Sequence, residues 1–170
     1  MLIMFFKILH IKSLLLVLLL YSNNVMAATN IETVKDLREL KKQAESNNLP
    51  VLLMFTAEDC DYCEALRKHY LVPMVESGEY SSIILIRQLY IDDYSYLRNA
   101  KGELISGDSV ALKYDVEVTP TLLFVNSEMK EVAERIVGLS DFNYFDETLK
   151  NHINKAKHFL ANKSSVETEY

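Results

Sequence analysis

Val51-Leu52-Leu53-Met54-Phe55-Thr56-Ala57-Glu58-Asp59-Cys60-Asp61-Tyr62-Cys63 is the stretch that decides the fold. Pro50 introduces a short apolar run, residues 51–55, that reads as a strand buried on both faces. Residues 56–59 make a polar turn. Cys60 then opens a helix that carries Cys63, Leu66 and Arg67 toward Tyr70, and Pro73 should kink or end it. The chain has 170 residues and 2 cysteines, which sit one helical turn apart. A bridge between them closes a ring of about four residues, for which chain entropy gives only about 2 kcal/mol. Such a pair suits cycling between dithiol and disulfide, with one thiolate attacking a disulfide and its neighbour resolving the mixed disulfide. A structural bridge and a metal site are the alternatives, but zinc needs two further ligands. His69, His152 and His158 lack ligand spacing to the pair and read as surface or helix-face residues, so no metal site is expected.

Working outward, Ile31, Val34, Leu37, Leu40 and Ala44 recur at helical steps and predict an amphipathic helix over residues 31–47, ended by Asn47-Asn48. Residues 82–91 read as a second strand. The polar segment 92–108 is longer than most connections and reads as an insertion of unspecified structure. Asp108-Ser109 can cap a short helix through Tyr114. Val118-Thr119-Pro120-Thr121 leads into a strand at 122–125, a turn at 126–130 and a strand at 131–137. A last helix over 141–159 places Phe142, Phe145, Leu149, Ile153 and Ala156 on its inner stripe. Tyr80, Tyr90, Tyr94 and Tyr96 read as core and rim, with a substrate-side lining as the alternative. A strand–helix–strand unit followed by a hairpin and a helix implies an α/β fold with a central mixed β-sheet flanked by helices.

The first 27 residues read as a signal peptide. Lys7, His10 and Lys12 form a basic leader, residues 13–21 an apolar core, and Val25-Met26-Ala27-Ala28 a small-residue cleavage region near Ala27/Ala28. An uncleaved membrane anchor is the alternative, although the apolar run is shorter than a span requires. Residues 28–161 then form one domain, and residues 162–170 a flexible polar tail. The chain carries 18 basic and 24 acidic residues. Removing a leader with two lysines and no acid leaves a net charge of about −8. That balance argues against nucleic acid or an anionic membrane surface as a partner. Export places the protein in oxidising, periplasmic surroundings, where a dithiol must be recharged by a donor.

The segment 51–63 resembles the strand and active-site turn of the thioredoxin superfamily. Val118-Thr119-Pro120-Thr121-Leu122-Leu123-Phe124 is similar to that family's segment around its cis-proline, and the element order matches over the whole exported domain. The resemblance implies a thioredoxin-like fold and a thiol:disulfide oxidoreductase without a cofactor. Cys60, at a helix N-terminus that stabilises thiolate, is then the nucleophile, and Cys63, one turn inside, the resolving cysteine. Pro120 is the implied cis-proline. Thr119 is implied to present backbone groups to an extended substrate segment. Tyr62 reads as stacking on a substrate or covering Cys63, with an exposed aromatic of no special role as the alternative. The implied partners are disulfide-bearing client proteins and a membrane thiol donor.

The departures are specific. Asp59 stands where many relatives have Trp, and Met54 where the reductive members carry a buried Asp that assists proton transfer to the second cysteine. General-base help for Cys63 must then come from elsewhere, with Glu58 or water as candidates. Glu58, Asp59, Asp61 and Glu64 crowd Cys60 and disfavour thiolate, which Arg67 and Lys68 offset only in part. A destabilised thiolate makes the dithiol the better electron donor, so a reducing couple is expected. The same acids are also good first-turn helix residues. Isomerase activity is the nearest variant. Isomerase relatives depend on a separate dimerisation region for which this chain has no room, so a monomer is expected. A binding module with an incidental disulfide is the other class.

Overall fold

Between Glu32 and Glu167 the chain runs β1 (Glu32–Thr33), α1 (Leu37–Asn47), β2 (Val51–Thr56), α2 (Asp61–Leu66), a π-helical turn (Arg67–Leu71), α3 (Val72–Ser77), β3 (Leu85–Tyr90), β4 (Tyr96–Arg98), β5 (Leu104–Ser106), α4 (Gly107–Lys113), β6 (Thr121–Val125), β7 (Glu131–Val137) and α5 (Phe145–Glu167). The structure, a computed structural model, describes residues 31–92, 94–139 and 144–167. The expected leader, Phe142 and the end of the expected tail lie outside these residues.

Five strands form one sheet in the order β1-β3-β2-β6-β7. β2 pairs in parallel with β3 on one edge and antiparallel with β6 on the other. Every side chain from Val51 to Thr56 is buried, as expected of a strand covered on both faces. Alternation divides the core. Leu52 and Met54 join Cys63, Leu66, Leu71, Ile86, Leu122, Phe124 and the α5 residues Leu149, Ile153 and Ala156. Val51, Leu53 and Phe55 face the other way, onto Leu40 and Ala44 of α1 and Val110 and Ala111 of α4. The result is a three-layer thioredoxin-like fold, a mixed sheet between helices. Each fully buried Leu, Val, Met or Phe side chain contributes roughly 1.5–3 kcal/mol, so the apolar side chains of β2 together contribute about 8–15 kcal/mol.

The departures from expectation have local causes. The first helix begins at Leu37 because Glu32 and Thr33 pair with Arg87 and Gln88 of β3 as an edge strand. Asp36 then caps α1, accepting from the Arg38 N–H at 2.8 Å. The Arg38 side chain also donates to that carboxylate and pulls its pKa down to about 2, so the cap keeps its charge until the pH falls toward that value. Segment 92–108 contains a hairpin, β4 paired antiparallel with β5. The short helix after it starts two residues early, with Ser106 rather than Asp108 at its N-cap.

Pro73 does not end the second helix, which continues to Ser77. In an unbroken α-helix its ring would collide with the carbonyl of His69 and leave that carbonyl without a donor. The wider turn just before it absorbs the misfit, the Val72 N–H reaching back to the Arg67 carbonyl. α5 extends to Glu167, eight residues past its expected end and into the expected tail; the loss of apolar periodicity there concealed a continuing helix.

Gly107 joins the hairpin to α4 at a point of very close approach. A Cβ there would stand 1.8 Å from the Tyr90 carbonyl oxygen, at the end of β3. Backbone cannot swing aside as a flexible side chain can, so Gly107→Ala should destabilise the protein by about 1–3 kcal/mol. Urea unfolding should show a lower midpoint with an unchanged slope.

Candidate active site

The register of β2 with β6 builds the site. Phe55 lies opposite Thr121, so in this antiparallel pair the end of β2 meets the beginning of β6. The turn after β2 and the residues before β6 therefore emerge at the same edge of the sheet, although 59 positions separate Cys60 from Thr119.

Cys60 is the N-cap of α2, in an extended conformation (φ −123°, ψ 95°). Its sulfur accepts the Cys63 backbone N–H at 3.2 Å, one of the first-turn donors that a helix leaves unpaired. The two cysteines form a disulfide, with an S–S distance of 2.02 Å and Cα atoms 5.2 Å apart. Cys60 is partly exposed, whereas Cys63 is 0 % exposed and packed in the core beneath α2. Thr119 Oγ1 donates to Cys60 Sγ at 3.5 Å. The Thr119–Pro120 peptide is cis, and Pro120 is buried. The structure thus brings Cys60, Cys63, Thr119 and Pro120 together. Tyr62, between the cysteines, is 62 % exposed, and Val118 beside Thr119 is also exposed.

Met54 lies in the same buried cluster as Cys63, so the position where the resemblance implied a buried acid in reductive members holds an apolar side chain. Glu58, Asp59, Asp61 and Glu64 are all exposed. Solvent screens exposed charges strongly, which weakens their hold on the sulfurs. Glu58 is fixed by its backbone, whose N–H donates to both oxygens of the Asp92 carboxylate at 3.3 and 3.2 Å. Asp92, expected only as the start of an insertion, thus braces the turn that leads into Cys60.

Arg67 is the second residue whose place the sequence did not reveal. Its side chain is folded beneath α2 against the sheet, where Nε donates to Gln88 Oε1 at 3.0 Å and Nη2 to Thr56 Oγ1 at 3.2 Å. It also pairs with Glu64. The signal available was Gln88 and Thr56, polar groups buried in the sheet, which a buried donor has to satisfy. His152 stacks on Phe124 with ring centroids 5.7 Å apart, and His69 and His158 are exposed. Tyr94 and Tyr96 are exposed, and Tyr80 and Tyr90 half-buried.

A family model described as a thioredoxin-like domain matches residues 37–153. No curated protein matches the sequence of this chain. Solved structures of thioredoxins are similar in fold. A poplar thioredoxin h mutant is 15 % identical with a TM-score of 0.52, the match covering 78 % of this chain and 88 % of that one. Oxidised mitochondrial thioredoxin 3 of Saccharomyces cerevisiae is 16 % identical with a TM-score of 0.50, over 73 % of this chain and 93 % of its own. Trichomonas vaginalis thioredoxin is 19 % identical with a TM-score of 0.50, over 74 % and 98 % respectively.

The hydroxyl of Thr119 is placed to stabilise negative charge on Cys60 sulfur, since a hydrogen bond to the charged form favours it. In the reduced protein, Thr119→Val should raise the Cys60 thiol pKa by about half to one unit, the equivalent of one modest hydrogen bond. Thiolate absorbance followed against pH checks this, and Thr119→Ser should retain the wild-type value.

Proposed function

This chain belongs to the thioredoxin-like domain family, and from that premise we propose that it is an exported thiol:disulfide oxidoreductase that reduces protein or small-molecule disulfides. The observation that carries the reading is the asymmetry of the pair. Cys60 Sγ is partly open to solvent at a helix N-cap, and Cys63 is wholly buried one turn behind it. An attacking sulfur has to meet a large partner, whereas a resolving sulfur has only to reach its neighbour.

In the proposed cycle the Cys60 thiolate attacks one sulfur of a client disulfide. A bond forms between Cys60 and that sulfur, and the other client sulfur leaves as a thiolate that takes up a proton. Cys63, deprotonated, then attacks Cys60 Sγ, closing the Cys60–Cys63 disulfide and releasing the second client thiol. Two electrons have passed from the protein to the client. A dithiol donor at the membrane reverses both exchanges and restores the reduced pair. With Met54 in place of an acid, water is the proton acceptor for Cys63, or Glu58 at the rim.

Clients dock as an extended segment against the backbone at Thr119, in the manner of an added strand, with Tyr62 and Val118 offering exposed apolar surface nearby. The signal-like leader supports export to the periplasm, and the excess of acids supports protein clients over nucleic acid. The exposed acids around Cys60 favour the reducing direction. The protein acts as a monomer.

Cys63→Ser tests this reading directly. Attack by Cys60 proceeds but resolution does not, so mixed disulfides should accumulate through Cys60 and be identified by mass spectrometry after capture from periplasmic extract. Adding Cys60→Ser should abolish the covalent adducts entirely. Retention of one partner without any covalent adduct would establish a binding module instead.

A further inference from the structure

We propose that Arg67 is the fixed cation of this redox site, clamping the cysteine-bearing helix onto β2 and β3 and biasing the Cys60–Cys63 couple toward its reduced, thiolate-bearing form. This rests on the oxidoreductase reading of the pair and names a positioning residue within it.

Arg67 follows Cys63 by four residues, which places both on one face of the helix. Long helical side chains lean toward the helix N-terminus, over the preceding turn. That turn holds Cys63 and Glu64, and the partners of Arg67 confirm the direction. It pairs with Glu64 on its own helix, with Thr56 at the end of β2, and with Gln88 of β3. Gln88 stands opposite Met54 in the β2–β3 register, so the guanidinium lies against the sheet surface that Met54 shares with Cys63.

The acceptors are held in place. The Gln88 amide nitrogen donates to the Ile31 carbonyl at 3.0 Å and to Thr33 Oγ1 at 3.1 Å. Its oxygen is thereby left facing Arg67. Thr56 is fully buried. A guanidinium is a permanent cation whose rigid fork suits several fixed acceptors at once. A Lys ammonium could keep the charge but not all of those bonds.

The charge is unevenly compensated. The Arg67 side chain is 14 % exposed, while Glu64, its one anionic partner among the described residues, is 64 % exposed. Water screens Glu64, whereas the field of Arg67 on its protein side passes through a medium of much lower dielectric. Asp61 on the same helix and Glu58 and Asp59 in the preceding turn are exposed as well. The cation is therefore less screened than Glu64, Asp61, Glu58 and Asp59 and opposes them, while the half-buried Asp92 carboxylate holds the Glu58 N–H.

The redox consequence follows from charge balance. The disulfide is neutral, and the reduced pair carries a thiolate on Cys60. A nearby cation stabilises the thiolate, hence the reduced pair, and makes the couple more oxidising. Oxidation by glutathione disulfide transfers two electrons from the protein dithiol, forming the Cys60–Cys63 bond and two molecules of glutathione. Removing the cation should drive that reaction forward.

The test is an equilibrium titration of purified protein against reduced and oxidised glutathione at fixed pH. The wild type comes first: failure of the pair to exchange reversibly would sink the oxidoreductase reading itself, whatever Arg67 does. With exchange established, Arg67→Met should raise the oxidation constant about tenfold, close to 30 mV toward reducing, and raise the Cys60 thiol pKa with it. Arg67→Lys should stay within about threefold of wild type. Gln88→Glu, which sets a carboxylate against the Arg67 Nε, should move the constant in the same direction as Arg67→Met. The proposal is overturned if folded Arg67→Met stays within twofold of wild type, or if Arg67→Lys shifts as far as Arg67→Met, since geometry and not charge would then be responsible. Should Arg67→Met not fold, an unchanged constant in Gln88→Glu overturns it equally.

Discussion

The complete burial of β2 is the constraint on which the rest of the structure depends. Both edges of this strand are hydrogen-bonded, one in parallel to β3 and the other antiparallel to β6, and both faces are covered by helices. A strand held on four sides has no freedom of register, because a one-residue slip would exchange its two buried faces. Whatever leaves its C-terminal end is positioned as firmly as the core. Here that is the turn into Cys60, and the antiparallel partner delivers Thr119 and Pro120 to the same edge.

The same rigidity explains the difference in exposure between the cysteines. Cys63 belongs to the core that packs on Leu52 and Met54. Cys60 lies one turn earlier, where the helix has just emerged from the sheet edge, and its sulfur takes up a backbone donor of the first turn. Burial and exposure are thus set by where the helix begins relative to the end of β2, with no further device needed.

Between the sheet and the active-site helix lies a polar seam in an otherwise apolar layer. Thr33, Thr56, Gln88 and Arg67 satisfy one another across three strands and the helix. Arg67 opens the π-turn that accommodates Pro73. Turns of this kind are frequent at functional sites, and here one follows directly on the segment that carries both cysteines. Its neighbour Met54 is apolar, so Arg67 is the charged member of the seam.

Much of this was legible in the chain. The apolar run 51–55 demanded a strand covered on both faces, the two cysteines one turn apart pointed to reversible chemistry more than stapling, and the resemblance of Val118-Thr119-Pro120-Thr121 to a cis-proline segment marked a third part of the candidate site. Local pattern carries such information because burial and helical spacing are periodic along the sequence. What it did not carry was pairing at a distance. Glu32 and Thr33 became a strand only because β3 offered an open edge, and Asp92 became a brace only because β3 ends beside the turn at Glu58. The sequence by itself pointed to Cys60, Cys63, Thr119 and Pro120 as the candidate site. Tertiary structure alone decided where the cation of the helix lies, since Arg67 is seated beneath it only where Thr56 and Gln88, contributed by two different strands, provide fixed acceptors for its fork.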